Sequence, residues 1–149
     1  MEKTACFTGH RLQKFGYNES SPLVLEIKKK LYNAIEDAIK LGYETFISGG
    51  AIGVDQWAME SVIALKKNYP HIKLVVAKPF PSQDKIWPQD SRMKFQDLCS
   101  KANEIVDVSP DPYFPWKMQV RNEYIVNKSS LVIALWDGTK GGTANAVSF

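Results

Sequence analysis

The sequence lacks several features that would define its class at once. It has only two cysteines, Cys6 and Cys99, which are far apart and form no CxxC pair, so neither a disulfide framework nor a cysteine metal site is indicated. No window approaches the roughly 20 apolar residues that a membrane span requires. The first residues show no apolar signal region and no small-residue cleavage site. We therefore expect a cytoplasmic protein with reduced thiols, no membrane association and no bound metal.

A strong excess of charge of one sign is also missing. The 149 residues include 19 Lys and Arg and 16 Asp and Glu, which gives a net charge of +3, and 44% of the residues are hydrophobic. This is the composition of an ordinary globular domain. The charge permits an anionic ligand but falls short of that of a dedicated nucleic-acid binder, so we do not expect nucleic acid as a partner. The basic run at residues 28–30 fits the solvated face of a helix.

Short β-rich runs alternate with longer helical patterns along the chain. Strands are predicted at residues 4–8, 45–47, 72–77, 104–107 and 131–136. Helices are predicted at 22–41, with Ser21 as the N-cap, and at 54–65, 90–102 and 116–127. Such alternation is typical of βαβ units. It predicts a single α/β domain over residues 1–149, with about five parallel strands, helices on both faces and a shortened C-terminus.

Polar stretches rich in glycine follow the predicted strands. Their residues are Gly9, His10, Arg11, Ser48, Gly49, Gly50, Lys78, Pro79, Asp137, Gly138, Gly141, Gly142 and Thr143. In an open α/β sheet these positions share the carboxyl edge, where ligands bind at the topological switch point. Glycine allows close backbone approach, and a following helix N-terminus favours phosphate. The pattern predicts a nucleotide-type ligand, although each stretch alone is also compatible with a plain tight turn.

Neither standard nucleotide-binding motif is present. Gly49-Gly50-x-x-Gly53 departs from G-x-G-x-x-G, and no acidic residue closes the next strand, which disfavours a dehydrogenase. The stretch from Gly138 to Thr143 lacks the Gly-Lys-Ser/Thr order of a P-loop, which disfavours Walker-type ATP hydrolysis. The remaining interpretation is a phosphate cradle without the standard machinery, which requires no cofactor besides its ligand. A bulky residue at Gly50 would then abolish binding with little loss of fold.

Several side chains have a functional and a structural interpretation. Asp55 can reach a ribose hydroxyl or the N–H groups of its own helix, and Arg11 can clamp a phosphate or form a surface ion pair. Arg121 can contact a ligand or pair with Glu123 or Asp90. His10 is a candidate acid or base, or a structural hydrogen-bonding residue. Among the aromatic residues, Trp87 and Trp116 can stack on a base or pack the proline-rich loops, whereas Trp57 suits the core or a subunit interface.

The segment from Ser48 to Ala58, SGGAIGVDQWA, resembles the glycine-rich motif of the SLOG superfamily. That group includes the DNA-processing protein DprA, the LOG-type cytokinin-activating enzymes and the YpsA family. Thr8-Gly9-His10-Arg11 and Arg121-Asn122-Glu123 look most like the YpsA branch. The resemblance implies a Rossmann-like fold with a nucleotide pocket. Members linked to bacterial defence are known or proposed to sense NAD-derived signals such as cyclic ADP-ribose, which implies a sensor or sequestering protein for an NAD- or ADP-ribose-type signal.

The LOG-type enzymes cleave the N-glycosidic bond of nucleoside monophosphates, using an arginine in M-x-x-R-K and a glutamate in P-G-G-x-G-T-x-x-E. Met118-Gln-Val-Arg121-Asn122 keeps the methionine and the arginine. The second motif can be aligned in two ways: on Gly142-Thr143, Ala146 takes the position of the glutamate, and on Gly141-Gly142 the nearby residues are also all neutral. A carboxylate normally stabilises the oxocarbenium-like charge of this reaction or positions the attacking water. The site is therefore better suited to holding a nucleotide than to cutting it. Arg121, Glu123 and Asp55 are the catalytic candidates if cleavage occurs.

Three functions are open at this level. The leading one is nucleotide binding, the second is a LOG-type N-glycosidase, and the third is a DprA-like single-strand DNA binder, which would need a basic groove with stacking aromatic residues. A final helix after Thr143 of barely one turn would leave apolar surroundings uncovered. This favours a homodimer or a higher homo-oligomer.

Overall fold

The computed structural model describes residues 3–9 and 21–135, in which strands and helices alternate strictly. The elements are β1 (Lys3–Gly9), α1 (Pro22–Lys40), β2 (Tyr43–Ser48), α2 (Val54–Leu65), β3 (Lys73–Lys78), α3 (Gln89–Ser100), β4 (Glu104–Asp107), α4 (Pro115–Asn127) and β5 (Leu131–Leu135). Each strand and helix predicted within these ranges is present, and the bounds differ by at most two residues.

The strands form one parallel sheet in the order β4-β3-β2-β1-β5. Successive crossovers carry the chain from β1 outward to β4, and α4 then returns it to the far side of β1. The order of the strands therefore reverses between β1 and β5, where Gly9 lies opposite Leu135 at the carboxyl edge. This reversal is the topological switch point of an open α/β sheet.

Alternate strand residues face opposite sides of the sheet and build two separate apolar clusters. Phe46 and Val76 belong to the larger cluster, which α1, α2 and α3 cover. Their neighbours Ile47 and Ala77 belong to a smaller cluster with Ile125 of α4. This alternation follows from the two-residue period of a strand. The expected parallel sheet with helices on both faces is confirmed.

The start of α1 follows directly from local chemistry. The Ser21 hydroxyl accepts a hydrogen bond from the Val24 N–H at 3.3 Å, and Pro22 is the first helical residue. Such a cap commonly contributes on the order of 1 kcal/mol. Gly42, just after the helix, has a φ of 99°, a backbone conformation that favours glycine.

Two interpretations of single residues are decided by burial. Trp57 of α2 is 1% exposed and lies in the larger cluster, so it is a core residue rather than an interface residue. Cys6 is buried and Cys99 is half-buried, and both are free thiols. Among the described residues, no helix combines the length and the apolar character that crossing a membrane would need.

Candidate functional site at the carboxyl edge of the sheet

The turn between β2 and α2, residues 48–53, brings together most of the predicted site residues that the structure describes. Ser48, Gly49 and Gly50 form its first half, Asp55 follows in the first turn of α2, and Arg121 reaches it from α4. Gly9 ends the neighbouring strand β1. The other residues that the sequence predicts for the site lie outside the described ranges: His10, Arg11, Asp137, Gly138, Gly141, Gly142 and Thr143.

Gly49 lies in a space that only a hydrogen atom fits. A Cβ at this position would stand 2.6 Å from Arg121 Nη1 and 3.0 Å from Asp55 Oδ2. The guanidinium and the carboxylate therefore approach the same α-carbon. A side chain at residue 49 would force one of these groups to shift, so the constraint here is space rather than backbone conformation.

Arg121 is 4% exposed and holds the ends of two strands. Its Nη1 donates to the Gly49 carbonyl at 2.6 Å and to the Ala77 carbonyl at 3.4 Å, while Nε donates to Asn122 Oδ1 at 2.9 Å. This geometry makes Arg121 a positioning residue for the turn. The direct contact with a ligand that the sequence suggested stays a prediction.

Two glutamines that the sequence analysis did not single out complete the support of the turn. Gln83 Nε2 donates to the Gly49 carbonyl at 3.1 Å, and Gln56 Nε2 donates to the Gly50 carbonyl at 3.2 Å. Both side chains are buried. Gln56 could have been noticed as a polar residue between the apolar Val54 and Trp57 of α2. Gln83 lies in a loop, where no periodic pattern marks it.

Ser48 and Asp55 close the turn from within. The fully buried Ser48 hydroxyl donates to the Asp55 carbonyl at 2.8 Å and accepts from the Gly50 N–H at 3.2 Å. Asp55 Oδ2 accepts from the Ala51 N–H at 3.3 Å. Asp55 as a residue is half-buried. The ligand contacts predicted for these two residues stay predictions.

A side chain at Gly50 would not point where the sequence analysis expected, although contact of the Gly50 backbone with a ligand stays a prediction. Its φ is 76°, and a Cβ would lie 2.6 Å from Cε1 of Phe95, a ring that is 2% exposed in the larger cluster. A side chain at residue 50 would therefore enter the core rather than a phosphate site. The expectation that a bulky residue there leaves the fold intact is wrong, because the position faces α3.

Two predicted residues at the end of β3, Lys78 and Pro79, contact the loops that follow. Lys78 Nζ donates to the Pro81 carbonyl at 2.5 Å and lies 5.8 Å from the Phe95 ring centre. Pro79 is buried, and its carbonyl accepts from the Ser109 N–H at 3.2 Å. The structure thus shows structural contacts for both residues, and their contact with a ligand stays a prediction.

Glu123, a catalytic candidate, is not brought to the turn. It is exposed on α4 and accepts a 3.4 Å hydrogen bond from Gln119. Two residues along a helix rotate a side chain by roughly 200°, so Glu123 points away from the face that Arg121 presents to the sheet. Asp55 is the candidate carboxylate that lies at the turn.

Lys117 was also missed by the sequence analysis. It lies one turn before Arg121 on α4, is 4% exposed, and donates to the Pro110 and Pro112 carbonyls at 2.5 and 2.7 Å. Its Nζ also lies 5.3 Å from the ring centre of Phe114. This buried ammonium holds the proline-rich loop at residues 109–115 against α4.

A groove of about 880 Å³ runs beside the turn, between the loop at residues 79–88 and the loop at 109–115. Ala51 and Ile52 of the turn form part of its wall, and Trp87 lines it further along. Trp116 is the other tryptophan considered for base stacking. It does not line the groove and stacks on Phe114, with the ring centres 6.2 Å apart. The volume is within the range of small-molecule sites.

Two groups near the site have shifted pKa values. Hydrogen bonds from the Ser82 hydroxyl and N–H hold the pKa of Asp111, in the groove, below its usual value. Burial raises the pKa of the Cys99 thiol to about 11, in a smaller cavity that Lys78 also lines. Asp111 is therefore ionised at neutral pH, whereas Cys99 is protonated and a poor nucleophile.

Fold and site together define a class, a Rossmann-like α/β domain with a glycine-rich turn supported at the carboxyl edge of its sheet. Comparison with known proteins then gives the family. The model of the YspA SLOG family, YpsA, matches residues 5–148, and the chain belongs to this family. The YpsA-like membership predicted from the motifs is confirmed.

The similarity to individual relatives extends over most of the chain. The chain is 40% identical over 141 residues to the SPbeta prophage-derived protein YoqJ of Bacillus subtilis (strain 168), an alignment that covers 87% of this chain and 82% of the relative. It is 34% identical over 143 residues to the UPF0398 protein BH1768 of Halalkalibacterium halodurans, an alignment that covers 95% of this chain and 76% of the relative. The similarity is thus not confined to the glycine-rich turn.

A solved structure of DNA processing protein A from Helicobacter pylori has a similar fold. Its TM-score is 0.60 at 22% identity, and the match covers 94% of this chain and 56% of that one. This chain therefore spans just over half the length of that protein, and the likeness supports the fold alone. That structure concerns the binding of single-stranded DNA by its own protein, so our expectation that nucleic acid is not a partner gains no support from it.

Proposed function

We propose that this protein binds a nucleotide or a nucleotide-derived signal of the NAD or ADP-ribose type at the carboxyl edge of its sheet, as a sensor or sequestering protein. The observation that carries the proposal is the support of the turn at residues 48–53. Buried donors from three different segments, Gln56, Gln83 and Arg121, bind the carbonyls of Gly49 and Gly50. The turn therefore has a defined shape before any ligand arrives, and such preorganisation favours binding.

Asp55 suits the sugar of such a ligand better than its phosphate. Its carboxylate lies in the first turn of α2, where it already complements the positive end of the helix dipole. A phosphate placed there would meet a like charge, whereas ribose hydroxyls would donate to the carboxylate. We therefore place the sugar at Asp55 and the phosphates towards the switch point between β1 and β5.

We assign to this site the binding of a nucleotide without cleavage of its glycosidic bond. Glycosidic cleavage normally uses a positioned carboxylate beside the sugar carbon. Ala146 stands where the LOG-type motif has its glutamate, and Glu123 points to solvent. Incubating the protein with AMP, NAD and ADP-ribose and separating the products by chromatography checks this. Unchanged ligand is expected, and release of base or nicotinamide at about one turnover per second would favour the N-glycosidase.

Single-stranded nucleic acid is a second candidate, and one observation favours it. Phe114 and Trp116 are exposed and stack on each other at an interplanar angle of 14°, beside the exposed Tyr113. Bases of a single strand stack on such aromatic surfaces with little sequence preference. The similar fold of the Helicobacter pylori protein, whose structure concerns single-stranded DNA binding, makes this candidate worth a direct test.

A thermal-shift series with AMP, NAD, ADP-ribose, cyclic ADP-ribose and a 20-base oligodeoxynucleotide separates the two candidates. A ligand at a hundred times its Kd should stabilise the protein by about 2.7 kcal/mol. Asp55→Asn keeps an acceptor for the Ala51 N–H but removes the charge, and should weaken nucleotide binding about tenfold or more. Asp97→Asn, on the exposed face of α3, is the matched control and should bind like the parent.

Each outcome of this series has a distinct meaning. Stabilisation by a nucleotide that Asp55→Asn weakens and Asp97→Asn does not supports the proposed site. If only the oligonucleotide stabilises the protein, and Asp55→Asn does not weaken this effect, the nucleic-acid candidate is favoured. If no nucleotide shifts the melting temperature, nucleotide binding is refuted.

The expected homo-oligomer stays a prediction, which sedimentation velocity with and without the bound nucleotide would test.

A further inference from the structure

The groove beside the turn has two aromatic walls that are oriented by rings behind them. Trp87 is half-buried and meets the buried Phe95 edge to face, with the ring centres 5.2 Å apart. Tyr113 meets the buried Phe80 in the same way at 5.4 Å. Tyr113 itself is 56% exposed, so it offers aromatic surface to the groove. Edge-to-face contacts of this kind fix ring orientation.

The loop that carries Tyr113 is also held in place. Lys117 binds the carbonyls of Pro110 and Pro112, on either side of Asp111. The Asp111 carboxylate in turn accepts two hydrogen bonds from Ser82, at 3.1 Å from the N–H and 2.7 Å from the hydroxyl. The two loops that form the groove are therefore tied to each other, and the groove exists without a ligand.

The chemistry of the lining restricts what the groove can accept. Apolar and aromatic side chains such as Ile52, Phe80 and Met118 share the lining with the ionised Asp111 and with the polar residues Ser82, Gln83, Lys85 and Ser91. A purely apolar occupant would take water from the Asp111 carboxylate without replacing its hydrogen bonds, which is costly. The occupant therefore needs a flat apolar face together with N–H or O–H donors at its edge. A nucleobase has both.

The groove is also connected to the sugar position of the proposed function. Ala51 lines the groove, and its N–H donates to Asp55 Oδ2. The residue that we assign to the ribose is thus one hydrogen bond away from the groove wall. This proximity lets the two positions belong to one site.

We propose that this groove is the base-binding subsite, in which a nucleobase stacks on Tyr113 beside Trp87 and donates from its exocyclic amino group to Asp111. The inference rests on the proposed nucleotide function and adds the part of the site that selects the base. A planar ring with an amino group is the preferred occupant. The same ring with a carbonyl at that position would face the carboxylate with like partial charge and bind more weakly.

Calorimetric titration of the full chain with AMP, adenosine, IMP and ribose 5-phosphate tests the subsite. The parent protein should bind AMP about tenfold more tightly than ribose 5-phosphate, which has no base, and more tightly than IMP, which has a carbonyl for the amino group. Tyr113→Ala should weaken AMP and adenosine binding about tenfold and leave ribose 5-phosphate unchanged. Tyr113→Phe should retain AMP binding, and Asp111→Asn should reduce the preference for AMP over IMP.

The matched control is Trp116→Ala, which removes an exposed aromatic residue of the same region that does not line the groove. It should bind AMP like the parent. Equal affinities for AMP and ribose 5-phosphate, insensitive to Tyr113→Ala, would overturn the subsite while leaving the nucleotide function intact. Adenosine binding that depends on Tyr113, without any binding of ribose 5-phosphate, would support the subsite and count against the phosphate assignment. Absence of binding by both AMP and adenosine would overturn the subsite.

Discussion

The guanidinium of Arg121 and the carbonyl of Gly49, 72 residues apart in the chain, are joined by a hydrogen bond of 2.6 Å. This bond links α4, on one face of the sheet, to the turn that leads into α2, on the other face. Because the same guanidinium also reaches Ala77 at the end of β3, it ties two strand ends together. The shape of the candidate site therefore depends on a contact between distant parts of the sequence.

Gly49→Ala should destabilise the protein and weaken nucleotide binding. The new methyl group would stand 2.6 Å from Arg121 Nη1 and force the guanidinium away from the Gly49 and Ala77 carbonyls. Losing a buried hydrogen bond typically costs about 1–3 kcal/mol in the free energy of unfolding. Urea unfolding gives that value. In a double-mutant cycle with Arg121→Met, the cost of Gly49→Ala should largely disappear, and additive costs would rule out the guanidinium as its cause.

Gly50→Ala should destabilise the fold for two separable reasons. The residue has a φ of 76°, and its Cβ would lie 2.6 Å from the Phe95 ring. Strain at such a backbone conformation costs on the order of 1 kcal/mol, and overpacking typically adds about 1–3 kcal/mol. Combining Gly50→Ala with Phe95→Leu should recover the packing part only, as measured by the unfolding midpoint. A Gly50→Ala protein as stable as the parent would show that α3 does not pack on this glycine.

Lys117→Met should loosen the loop at residues 109–115 while α4 stays folded. The substitution keeps most of the unbranched side chain but leaves the Pro110 and Pro112 carbonyls without their donor. We expect a loss of about 1–3 kcal/mol in stability and faster hydrogen exchange confined to this loop. Lys128→Met, at the exposed end of α4, is the control and should exchange like the parent. Equal exchange in both variants would contradict the holding role of Lys117.

The raised pKa of Cys99 predicts slow alkylation at neutral pH. Burial moves the pKa of this thiol from 9.0 to about 11, so at pH 8 its thiolate fraction is about a hundredfold lower than that of an ordinary thiol. The iodoacetamide rate at Cys99, followed by mass spectrometry, should keep rising with pH up to about 11. A plateau near pH 9 would contradict the shift.

The raised pKa of Cys99 also makes the free energy of unfolding depend on pH, and the direction of that dependence follows from proton linkage. Above pH 9 the unfolded thiol loses its proton first, so the folded state binds more protons and stability falls as the pH rises towards about 11. Below pH 9 this contribution is fully present. The decline in unfolding free energy between pH 9 and 11 should be smaller in Cys99→Ser than in the parent.

Local patterns were enough to predict the secondary structure of this chain. The strand at Lys73–Lys78 follows from its β-branched residues, and α1 follows from Ser21, Pro22 and the helical spacing of its apolar residues. Each of these signals depends on neighbours within a few residues. For the same reason the glycine-rich turn after β2 and its place at the carboxyl edge could be located from the sequence.

The direction in which a single side chain points was harder to predict. The sequence suggested that Gly50 faces a phosphate, but its α-carbon faces Phe95, 45 residues further along the chain. Gln83 lies in a loop without periodicity, yet its amide supports Gly49. Nothing in the local sequence records which residue will stand opposite another once the elements pack.

By itself, the sequence determined the alternation of strands and helices, the family and the chemistry available at the carboxyl edge, because periodicity, caps and motifs are properties of short segments. Only the tertiary structure decided that β5 lies beside β1, that Arg121 supports Gly49 and that a groove with aromatic walls opens next to Asp55. These arrangements depend on contacts between segments that are dozens of residues apart. They form when helices cover both faces of the sheet and the buried polar groups must find partners across it.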